Sequence, residues 1–180
     1  VGALGWVAFG YEAEADFATL IGSASIHAEL AASIPADTPK PEGQALRKKL
    51  IADAYGWLAR AERVESDSSA ACQIRAFLAS TEGRPLDAAM LYRKCRTLEN
   101  CTPEQHAPLA MHEARALSNA GRFGEALEVL AQSTGNFPED QRSARDLLRA
   151  RILWRGGQHE AAIGAIEAVV AVGVEGSESC

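Results

Sequence analysis

Apolar residues along this chain recur at helical spacing, and no stretch alternates at period two for long enough to make a convincing strand. The pattern divides into eight helical segments. An alanine-rich stretch from about Tyr11 to Ile34 ends in the loop Pro35 to Pro41, whose three prolines cannot continue a helix. The second segment, roughly Glu42 to Val64, carries Leu46, Leu50, Ala54 and Leu58 on one face, and closes in the polar run Glu65 to Ser69. The third and fourth lie near Ser68 to Glu82 and Pro85 to Asn100, joined by a turn at Gly83, with Pro85 suited to a first helical position. The fifth opens on the capping-box pattern Thr102-Pro103-Glu104-Gln105 and runs to Ala120. The sixth, about Phe123 to Thr134, presents Phe123, Ala126, Leu127, Leu130 and Ala131. The seventh follows Pro138 with Leu147, Leu148, Ala150 and Leu153, and the eighth carries Ala162, Ile166, Val169 and Val170.

A repeat runs through the later segments. Gly83, Gly121 and Gly157 lie 38 and 36 residues apart, and each is followed five positions on by an alanine: Ala88, Ala126 and Ala162. Self-similarity at that period marks a stacked array of helix hairpins. Composition agrees. The chain is 47% hydrophobic but only 6% aromatic, and alanine, the best helix former, supplies much of the difference. A sheet would draw on β-branched and aromatic residues instead. Its 180 residues suffice for one domain or one repeat array, and the net charge of −6 argues against a nucleic-acid-binding surface.

The middle hairpin, with Ala114, Leu117, Gly121, Phe123, Ala126, Leu130, Ser133 and Pro138, resembles the tetratricopeptide repeat (TPR). The following hairpin offers Ala150, Leu153, Gly157, His159, Ala162, Ile166 and Val169 in the same register. The preceding one offers Ala76, Ala79, Gly83, Ala88, Tyr92 and Cys95, with Pro85 where an aromatic is usual. The resemblance implies an all-α, right-handed superhelical array of antiparallel hairpins. Residues 67–172 would form three repeats, 1–64 a divergent N-terminal hairpin with an apolar leader, and 173–180 a disordered tail. In such packing a small residue like Ala114 lets the two helices cross closely near Ala126, while Leu117 and Leu130 fill the space to the next hairpin.

In arrays of this kind the first helix of each unit lines a concave groove. Carried across, that register places Gln73, Phe77 and Ser80, then Met111, Arg115, Ser118 and Asn119, then Leu147, Arg151, Trp154 and Arg155 on the groove face. Arginine forks pair with carboxylates, and tryptophan and arginine are common interface anchors. The expectation is a non-enzymatic scaffold whose groove, centred on Gln73, Phe77, Met111, Arg115, Asn119, Arg151, Trp154 and Arg155, takes an acidic, partly apolar segment of another protein. The competing reading makes the arginines a solvated face and packs Trp154 on the last helix. A different function class is a structural module that forms homo-oligomers through its end helices, because Ala161 to Val172 is apolar on much of its surface.

Catalytic signatures are missing from the sequence. It has no G-x-S-x-G, Walker loop, H-E-x-x-H or dinucleotide glycine fingerprint, so no catalytic residue and no cofactor is expected. His27, His106, His112 and His159 are scattered, no metal site is expected, and the acidic residues read as solvated helix faces. Among the four cysteines, Cys72, Cys95 and Cys101 admit either one disulfide or a role as small buried residues, and Cys95 with Cys101 suggests a redox pair. Val1 to Tyr11 reads either as a strap packed on the array or as the trailing end of a membrane anchor. It is too short to span a bilayer by itself.

Overall fold

The computed structural model describes residues 16–133, 135 and 137–177, and among them the ordered elements are helices without a strand. They are α1 (Phe17–Ser33), α2 (Pro41–Val64), α3 (Ser69–Thr81), α4 (Pro85–Thr97), α5 (Pro103–Asn119), α6 (Phe123–Gln132), α7 (Glu139–Arg155) and α8 (His159–Ser177). The apolar leader Val1 to Tyr11 and Cys180 lie outside the described residues. No helix among those described is long and apolar enough to cross a membrane.

Local chemistry sets the boundaries. Asp16 caps α1, its Oδ1 accepting from the Thr19 amide at 2.7 Å, so this helix starts at Phe17. Pro41, Pro85 and Pro103 each occupy the first turn of a helix, where a missing N–H costs nothing. The Thr102 amide donates to Gln105 Oε1 at 3.0 Å, completing the capping box expected there. At its other end α8 continues through residues 173–177, which the sequence pattern assigns to a tail.

Glycine closes the hairpins. Gly83, Gly121 and Gly157 have φ of 75°, 77° and 80°, in the left-handed region that side chains disfavour. After α5 the Arg122 amide donates to the Leu117 carbonyl at 2.9 Å and the Gly121 amide to Ser118 at 3.1 Å. After α7 the Gln158 amide donates to Leu153 at 2.9 Å and the Gly157 amide to Trp154 at 3.1 Å. Both are Schellman motifs, which satisfy carbonyls the helix end would leave open.

The chain forms two compact units, one ending at Thr81 and the other beginning at Glu82. In the first, α1 packs on α2 and α3, and α2 on α3. Ala24, Ala28 and Ala31 of α1 meet Ile51, Ala54 and Leu58 of α2 and Ala71, Ile74 and Leu78 of α3. Leu50 packs partly buried against this core, whereas Leu46, from the same predicted face, is half exposed. The sequence pattern divides the chain between residues 64 and 67, but α3 shares this core and so belongs to the first unit.

In the second unit α4 packs on α5, α5 on α6 and α7, α6 on α7, and α7 on α8. Ala114, Ala126 and Ala162 are wholly buried at these contacts, with Leu117, Leu130, Leu148 and Leu153 filling the space around them. Cys72 and Cys95 are each disulfide-bonded. Cys101 keeps its thiol, which donates to the Thr102 carbonyl at 3.8 Å, so Cys95 and Cys101 are not bridged to each other.

Two glycines separate strain from space. A Cβ added at Gly121 or at Gly124 would meet nothing within 4 Å, but only Gly121 has positive φ. Gly121→Ala is expected to lower the unfolding free energy by about 1–2 kcal/mol, and Gly124→Ala, inside α6, to raise it by about 0.5–1 kcal/mol. Ala126→Leu should cost about 1–3 kcal/mol by overpacking. Urea denaturation of the three variants measures all of these.

Candidate functional site

α5 and α7 lie side by side, and helical spacing turns chosen residues of each toward the same side. Met111 and Arg115 stand one turn apart on α5, as do Leu147, Arg151 and Trp154 in sequence on α7. With Ala144, Leu148, Ala150 and Ile166 of α8 they line an open groove of about 610 Å3. Three of its apolar members are unusually wet: Leu147 is 51% exposed, Trp154 55% and Ile166 45%. The Trp154 ring meets His159 edge-on at 4.4 Å, so it touches the start of α8 while keeping more than half its surface in solvent. Arg115 and Arg151 are exposed and make no hydrogen bond or ion pair among the described residues.

The other residues expected on the groove face are occupied elsewhere. Arg155 donates to Ser118 Oγ at 3.1 Å and to Asn119 Oδ1 at 2.8 Å, with its guanidinium 5.9 Å from the centre of the Phe123 ring. Arg155 and Asn119 therefore bind each other, fastening the end of α7 to the end of α5. Gln73 and Phe77 belong to α3 in the first unit. There Gln73 Nε2 donates to Ser69 Oγ at 3.2 Å, and Phe77 packs partly buried against that unit's core.

A buried charge lies between α5 and α4. Glu113 is fully buried, with Oε1 accepting from Arg93 Nε at 2.8 Å and Oε2 from Arg96. Arg96 also reaches Ser133 Oγ at 3.4 Å, whereas its Nε is buried without a partner among the described residues. The reading of every acidic residue as a solvated face fails here. The signal was available: Glu113 shares a helical face with Ala110, Ala114 and Leu117, all buried. A carboxylate on that stripe is tolerable only because two arginines of α4 converge on it. This pins α5, and with it Met111 and Arg115, to α4.

His112 stands between these features. Its ring stacks on Tyr92 with centroids 5.2 Å apart and planes at 19°. Desolvation first, and the positive Arg115 second, hold its pKa below the ordinary histidine value. Among the described residues no three His, Cys, Asp or Glu side chains converge in a way that could hold a metal ion.

No protein-family model and no curated protein matches the sequence. Among solved structures, the chain is similar to the crystal structure of nearly identical TPR-like repeats of an inferred kinesin light chain from Podosopora anserina. The TM-score is 0.59, over 96% of this chain and 94% of that one, at 19% sequence identity. The likeness establishes the fold, which is an all-helical, TPR-like repeat fold.

Two outcomes follow. Glu113→Ala is expected to destabilise the protein by about 3 kcal/mol or more, because it leaves the mostly buried Arg96 without its carboxylate. Arg93→Ala, which takes the donor from Oε1 of the buried carboxylate but leaves Arg96 in place, should cost about 1–3 kcal/mol; thermal and urea unfolding compare them. In an NMR titration, His112 should show its midpoint below 6.5 and move up in Arg115→Ala, as the neighbouring positive charge disappears. Because its folded pKa is depressed, His112 contributes stability above its unfolded pKa and loses it as pH falls through the folded value.

Proposed function

We propose that this chain is a non-enzymatic protein-interaction module that takes a partner segment in the groove of α5 and α7. One observation carries the reading: two uncommitted guanidinium groups, Arg115 and Arg151, stand beside the exposed apolar surface of Leu147, Trp154 and Ile166. Each arginine offers a planar fork of donors that matches a carboxylate. Each apolar side chain is already about half buried, so covering the rest contributes about 1 kcal/mol. The ligand class that satisfies both is a peptide segment carrying an aspartate or glutamate next to a large apolar residue. The TPR-like fold supports this reading, since helical-repeat scaffolds commonly present such surfaces to other proteins.

The test is fluorescence anisotropy with short labelled peptides in which an aspartate or glutamate is flanked by leucine or phenylalanine. The double variant Arg115→Glu/Arg151→Glu should weaken binding by about 10- to 100-fold or more, the loss of at least one charge-assisted hydrogen bond. Trp154→Ala should weaken it about tenfold. Arg155→Ala, whose guanidinium is already engaged by Ser118 and Asn119, should change it by less than about threefold. Equal binding of peptides whose acids are replaced by amides, or indifference to the double variant, would sink the proposal.

A further inference from the structure

The last helix is apolar nearly all round, yet much of it faces solvent. Ala162 is buried, but Ile163, Ile166 and Val170 are 49%, 45% and 59% exposed. At helical spacing these three form one stripe, and Glu160 and Glu167 run along its edge. Both glutamates are exposed and make no ion pair among the described residues, and α8 contains no lysine or arginine. A helix that is hydrophobic on most of its faces is normally covered.

The groove has the opposite character in charge and the same character in polarity. Among the described residues its charged lining residues are Arg115 and Arg151, and its apolar members Leu147, Trp154 and Ile166 are as wet as the stripe. Ile166 belongs to both surfaces, so groove and stripe are contiguous on one face of the second unit. A surface holding two complementary halves side by side is self-complementary. A twofold axis then brings each half of one copy onto the other half of its mate, forming a closed isologous interface.

We infer that the occupant of this face is a second copy of the chain. The α8 stripe of each copy lies in the groove of the other, with Glu160 and Glu167 opposite Arg115 and Arg151. This rests on the groove reading above, because the same two arginines act. It adds that in the free protein the groove is filled by α8 of its twin, so an acidic partner segment must compete with dimerisation.

Sedimentation velocity on the full chain, from about 1 to 500 µM, tests it. The wild type should pass from monomer to dimer within that range. Arg115→Glu/Arg151→Glu and Glu160→Arg/Glu167→Arg should each weaken self-association at least about tenfold, or 1.4 kcal/mol. An equimolar mixture of the two should recover it, because both contacts are then attractive again. That recovery also shows that both variants are folded, and circular dichroism of each checks this independently. A wild type that stays monomeric throughout overturns the inference. So does a dimer indifferent to both variants, or a mixture of two folded variants that does not reassociate. The groove reading fails separately. A monomer that binds the acidic peptides keeps that reading and discards the dimer. An arginine-dependent dimer that no acidic peptide binds or dissociates does the reverse.

Discussion

The rest of this structure depends on helices that meet through methyl groups. Ala24, Ala54, Ala114, Ala126 and Ala162 have no exposed surface, and each sits where one helix lies against another. A methyl at the contact brings two backbones close, and the dispersion gained comes from many backbone and Cβ atoms instead of from a few large side chains. It also leaves little room for bulk. Larger side chains fill the flanks, as Leu117 and Leu130 do, or stand outside the contact in solvent, as Leu147, Trp154 and Ile166 do. The groove is therefore a by-product of close packing.

A second constraint runs through α5. One face of this helix carries Glu113 toward Arg93 and Arg96, while the residues on either side of it, His112 and Ala114, face the Tyr92 ring and the core. The carboxylate is deprived of water, and what offsets that cost is geometry: two donors from one helix, held in place by the helix itself. Such an arrangement contributes less to net stability than an apolar filling of the same volume would, but it tolerates few alternative registers between α4 and α5. The position of Arg115 follows from it, since a slip of one residue along α5 would turn the guanidinium out of the groove.

Much of this was legible in the sequence. The hairpin turns were readable because glycine at Gly121 and Gly157 answers a backbone requirement that other residues meet poorly. The capping box at Thr102 was readable because both of its members are local. Met111, Arg115, Arg151 and Trp154 were placed together by register alone, which works when helix order fixes which faces are adjacent. The engagement of Arg155 with Asn119 was not legible, because a periodic pattern names a face and says nothing about which long side chains on it find each other. Glu113 was misread for a related reason: a carboxylate on an apolar stripe depends on cations that lie 17 and 20 residues away. The division at Thr81 escaped because repeat spacing reports similarity between segments, whereas a compact unit is defined by which core each helix shares.

The Schellman turns and alanine contacts together separate the load of the fold from the chemistry of its surface. Leu147 and Arg151 stand exposed on α7, whereas the side chains that hold the hairpins together include the buried Leu148, Ala150, Ile152 and Leu153. Evolution, or an engineer, can rewrite the first set while leaving the second alone. The chain is in this sense an addressable frame: Leu147 and Arg151 occupy exposed positions that the folding problem leaves largely unconstrained.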